Sequence, residues 1–149
     1  MSDRAFRIWQ RVLLAVSVGL ALFGVLAAVA PFAPPFTLRN AAIADAYFGG
    51  AWTEAGRAYH AFAAGPLGGT IAGFFAMQVW VVAVPFARRE RWAWWAVATG
   101  TAVWFVVDSA VSLAHGAAFN VVQVNLVSLA LVGVPLAATW RAFQNSRVA

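Results

Sequence analysis

The sequence predicts an all-α integral membrane protein, a four-helix bundle forming a single domain over residues 1–149. Three observations carry that prediction. The hydrophobic fraction is 63% and the charged fraction 10%, against about 45–50% and about 25% in an average soluble domain. Four apolar runs each hold about the 20 residues a helix needs to cross a hydrocarbon core about 30 Å thick. None of them carries the polar stripe, recurring about every 3.6 residues, of a soluble amphipathic helix.

The first run, VLLAVSVGLALFGVLAAVAPF, extends from Val12 to Phe32. Arg4, Arg7 and Arg11 precede it and Ala28-Val29-Ala30 resembles a signal-peptide cleavage site. The run is longer than the apolar region of a usual signal peptide, however, and Pro31 would follow the cut directly, so it is read as a span. A long connection follows, covering about residues 33–65. Pro31, Pro34 and Pro35 stop the first helix. Asn40 to Phe48 reads as a short helix ended by Gly49-Gly50, and Thr53 as the cap of a second one running to His60. Phe36, Tyr47, Phe48, Trp52, Tyr59 and Phe62 make this connection aromatic. It is expected to lie along the membrane surface or to cover the mouth of the bundle.

The second run extends from Pro66 to Ala87 and is led in by glycines at Gly65, Gly69 and Gly73, with Gly68 beside them. Small residues four apart let helices approach closely in lipid, where packing drives association, so these glycines are the expected helix-packing face. The partner helix is expected within the chain, with another subunit as the alternative. The third run extends from Trp92 to about Ala114 and the fourth from about Ala118 to Trp140, joined at Gly116-Ala117.

Arginine placement sets the expected orientation. Arg4, Arg7, Arg11, Arg88, Arg89, Arg91, Arg141 and Arg147 fall on one side of a four-span chain, and Arg39 and Arg57 on the other. The positive-inside rule then places both termini in the cytoplasm and the long connection outside. Trp92, Trp94, Trp95 and Trp140 fall at the inner interface as an aromatic belt. The outline is that of small four-span proteins of bacterial inner membranes, the expected location.

The net charge of +5 does not indicate nucleic acid, because the arginines are dispersed at span ends rather than gathered in a phosphate-binding stripe. Cysteine is absent, which excludes disulfides and thiolate chemistry. Lysine is absent too, so a covalent retinal linkage is impossible. His60, His115 and the scattered carboxylates lack metal-ligand spacing, and both histidines sit at interfaces, which argues against metal and haem. Asp108 and His115 are seven apart on one helix, about 10.5 Å, too far for a hydrolase triad. No catalytic machinery is evident.

One stretch breaks the apolar pattern: VVDSAVSLAHGAAFNVVQVN, from Val106 to Asn125. Folding the hairpin at Gly116-Ala117 puts Asp108 level with Asn125. Asp108 and Ser112 share one helix face, and so do Asn125 and Ser128. An ionised Asp at a helix centre costs about 2.5–3.5 kcal/mol on insertion scales, so Asp108 is expected to face inward. Ser109 and Trp104 lie beside it, and Arg39, Arg57 or His60 from the outer connection are its candidate partners.

The leading functional expectation is a pocket between spans 2, 3 and 4, under the outer connection, for a lipid, quinone or other amphiphile. Asp108, Ser109, Ser112, Asn125, Ser128 and Trp104 would serve it. The alternative is an accessory subunit that docks a larger membrane complex through Gly65, Gly69 and Gly73. The third reading is a homo-oligomeric channel or transporter component using Asp108.

Overall fold

The computed structural model describes residues 1–144, so Arg147 lies outside the described residues. Among these residues the chain forms five helices and no strand. Four of them are long and apolar enough to cross a membrane.

Helix α1 (Asp3–Val29) starts at Ser2, whose hydroxyl accepts from the Ala5 amide at 3.3 Å. It therefore begins nine residues before the apolar run and carries Arg4, Arg7 and Arg11 as a helical extension. After Pro31 a tight turn through Pro34–Phe36 leads into α2 (Thr37–Phe48). Helix α2 ends as its glycines predict: Gly49 takes the left-handed conformation at φ 66°. The Gly50 amide then bonds back to the Ala44 carbonyl at 3.0 Å, which satisfies a helix-end acceptor.

Helix α3 (Glu54–Phe86) corrects the expected boundaries. Thr53 does cap it, accepting from the Gly56 amide at 3.0 Å, but the helix does not stop at His60. It runs on for 33 residues through Pro66. A proline removes one backbone bond inside a helix, and the Thr70 hydroxyl donates to the Pro66 carbonyl at 2.9 Å just beyond it. Pro85, which likewise brings no N–H, lies in a wider π turn over Val82–Phe86 that closes the helix. Within it the Val82 carbonyl accepts from Gln10 Nε2 of α1 at 3.1 Å. A tight turn, with Arg89 at φ 59°, leads to α4 (Arg91–Ala114). Gly116 makes the second turn, and α5 (Ala118–Gln144) follows with a π turn at Val121–Asn125.

Helices α1 and α3 form the most extensive contact. Helix α1 also packs on α5, and α5 on α4, whereas α3 and α4 touch only sparsely. Neighbours in sequence are therefore not neighbours in space throughout. The α1–α3 contact runs through Gly24 and Gly68. A Cβ on Gly24 would lie 2.6 Å from the Ala72 amide nitrogen and 2.8 Å from the Gly68 carbonyl oxygen. One on Gly68 would lie 2.5 Å from the Gly24 oxygen. The packing expected of Gly65, Gly69 and Gly73 within the chain is thus carried by Gly68, one helix face away. A Cβ at any of those three would meet nothing within 4 Å.

The two halves of the bundle differ. At the arginine-rich end the Phe6, Phe86 and Phe143 rings pack on one another and join Leu13, Val82, Val97, Val132 and Leu136 in a buried apolar core. There Arg89 bridges Asp3 at 2.6 Å and lies over the Phe6 ring. Near mid-bundle Gln78 Nε2 donates to the Ser17 hydroxyl at 2.9 Å, joining α3 to α1 as a cross-bundle amide should. The α2 end is not filled in the same way.

Backbone atoms cannot yield as a flexible side chain can. Gly24→Ala and Gly68→Ala should each cost about 1–3 kcal/mol through overpacking, while Gly69→Ala should be neutral. Thermal unfolding in detergent checks this, and equal melting temperatures for all three variants would contradict the contact.

Candidate functional site

Because α3 packs closely on α1 and sparsely on α4, a cavity of about 390 Å³ opens at the α2 end. Its walls are Leu20 and Phe23 of α1, Phe36 ahead of α2, Leu67, Ile71, Phe74 and Phe75 of α3, Trp104 of α4 and Val124 of α5. Arg39, Thr70, Asp108, Asn120 and Ser128 supply its polar atoms. All four long helices contribute, one more than the three expected, because α1 rather than α4 is the main neighbour of α3. The volume lies at the low end of the about 300–1,000 Å³ typical of small-molecule sites.

Asp108 sits at the hub of a hydrogen-bonded cluster. Its Oδ1 accepts from the Ser112 hydroxyl at 3.0 Å, from Asn120 Nδ2 at 2.9 Å and from Asn125 Nδ2 at 3.2 Å. Asn120 Nδ2 also donates to Ser112 at 3.0 Å, and Asn125 Nδ2 to Ser109 at 3.0 Å. Convergent donors suit a carboxylate, which only accepts. Asn125 is fully buried, so it braces the cluster from behind while Asp108 and Asn120 face the cavity. Oδ2 of Asp108 takes no hydrogen bond from a described residue.

The cluster depends on the π turn. Residues five apart diverge around an α-helix, but the wider π turn brings them back toward one face. This lets Asn120 and Asn125 reach the same oxygen. Asn120 is the functional candidate that the sequence pattern missed. Its signal was its nearness in the hairpin to Ser112, which helical periodicity alone does not convert into a contact.

Helix α2 closes the cavity. Asn40 Nδ2 donates to the Pro31 carbonyl at 2.9 Å, the Phe36 and Phe23 rings meet at 5.0 Å, and Tyr47 donates to the His115 carbonyl at 2.8 Å. These anchors hold Arg39 in the cavity wall. Burial pushes the Arg39 guanidinium below its ordinary pKa, and the negative charge of nearby Asp108 opposes that shift. Arg39 makes neither a hydrogen bond nor a direct ion pair with a described residue.

The remaining expected residues divide. Trp104 and Ser128 line the cavity, but Ser128 stands apart from the hydrogen-bonded cluster. Ser109 and Ser112 are buried within it. Arg57 lies over the Phe32 ring at 4.2 Å, and His60 packs between Phe32 and Trp52, so neither partners Asp108. His115 Nδ1 lies 3.0 Å from the Val111 carbonyl at the end of α4. Among the described residues, no three of His, Asp and Glu come together as a metal site. No protein-family model, curated protein or solved structure matches the chain.

Removing the Asn125 amide leaves Asp108 and Ser109 short of a donor. Asn125→Leu should cost about 1–3 kcal/mol, and less in an Asp108→Leu background, where fewer acceptors remain stranded. Unfolding of the two single variants and the double variant tests this. Additive losses would contradict a shared cluster.

Proposed function

We propose that this protein binds an amphiphilic small molecule, such as a lipid or a quinone, in the cavity under α2. Both termini face the cytoplasm of a bacterial inner membrane and α2 lies on the outer side. The arginine bias supports that orientation. The observation that carries the reading is the cavity itself, in which aromatic and aliphatic walls converge on Arg39, Asp108 and Asn120. Apolar walls with a few oriented polar groups are the general design of a ligand site.

A second reading has its own support. Gly69 and Gly73 are exposed and unpacked, so this face of α3 is free to receive a helix of a larger complex.

Native mass spectrometry of the protein released gently from its own membrane separates the two readings. The ligand reading expects a small bound mass on the intact chain. Val124→Trp, which fills the cavity from α5, should abolish that mass with little loss of stability. A bare wild-type chain, or a bound mass that Val124→Trp leaves in place, would refute the cavity as the site. Association with foreign subunits that Gly69→Leu and Gly73→Leu abolish would favour the second reading.

A further inference from the structure

Two charges of opposite sign face the same cavity without closing on each other. Arg39 has no hydrogen bond or ion pair with a described residue, and Asp108 keeps Oδ2 free while Oδ1 is saturated by three donors. A guanidinium offers only donors and a carboxylate only acceptors. An occupant that satisfies both must therefore bring an acceptor and a donor in one head. An anionic head would meet Arg39 but oppose Asp108, and a cationic head would do the reverse. Unpaired charge in an apolar site costs far more than it does in water.

The walls limit the apolar part. The cavity is small, and Leu67 and Thr70, both exposed on α3, form part of its lining. With α3 and α4 in sparse contact, this side opens toward lipid. At about 390 Å³ the space suits one chain, and a second would have to lie outside.

We propose that the occupant is a single-chain amphiphile whose head has no net charge, placing an acceptor on Arg39 and a donor on Asp108. This rests on the ligand reading above and narrows it. Two sources carry that chemistry, a zwitterionic phosphoethanolamine head and an uncharged glycerol head.

The test is competitive binding to the purified full chain, read by native mass spectrometry, with four lipids of matched chain length. These are a lysophosphatidylethanolamine, a monoacylglycerol, a fatty acid and a primary alkylammonium. One or both of the first two should outcompete the charged pair by about tenfold or more, the loss expected for one unmade charge-assisted hydrogen bond. Which of the two leads names the source. Asp108→Asn should shift preference to the fatty acid, and Arg39→Gln to the primary alkylammonium. Arg39 makes no hydrogen bond that its removal would break, so Arg39→Gln keeps the test decisive if Asp108→Asn misfolds. Equal binding of all four, displaced by Val124→Trp, would overturn the head-group assignment and leave the cavity reading standing. Binding of none would overturn both. Variants that keep the wild-type ranking would also overturn the assignment.

Discussion

An acidic side chain inside an apolar bundle has to find its hydrogen-bond partners within the protein, because hydrocarbon supplies none. Asp108 meets that demand with one oxygen. Ser112 on its own helix and Asn120 and Asn125 on the next all donate to Oδ1. The rest of the α2 end follows from this convergence. It fixes the register of the α4–α5 hairpin and calls for the π turn that aligns two asparagines. It also leaves Oδ2 without a donor among the described residues, on a residue that lines the same cavity as Arg39. A half-buried carboxylate arranged in this way is weak evidence of stability, since an apolar replacement often packs as well.

The cavity has a complementary origin. Gly24 and Gly68 bring the backbones of α1 and α3 into contact, and a helix drawn toward one neighbour recedes from another. At the arginine-rich end the short turn between α3 and α4 and the phenylalanine core offset that displacement. At the other end α3 and α4 touch only sparsely, and α2 covers the space instead. Close packing on one side of α3 and open space on the other are two results of the same glycine contact.

Much of the fold was legible in the sequence because bilayer thickness constrains it so strongly. The apolar runs, the Gly49-Gly50 stop, the Thr53 cap and the Gly116 turn each express a local rule, and the hairpin mirror placed Asp108 beside Asn125. Where the reading departed from the structure, the missing information was not local. Pro66 suggested the start of a helix, yet α3 carries it near its middle. The glycines at 65, 68, 69 and 73 offer more than one face, and only the position of Gly24 in α1 selects Gly68. Asn120 required a π turn that periodicity does not signal. Arg39 and Arg57 were equivalent candidates until the anchors of α2 directed one into the cavity and the other onto Phe32.

The most direct measurement is photolabelling of the wild-type chain with a monoacylglycerol carrying a mid-chain diazirine, mapped by peptide mass spectrometry. Label concentrated on Phe36, Phe74, Trp104 and Val124, and competed by excess unlabelled lipid, is the expected result. Label spread over the outward-facing Val107, Leu113 and Val122, and insensitive to competitor, would contradict a ligand site between the helices.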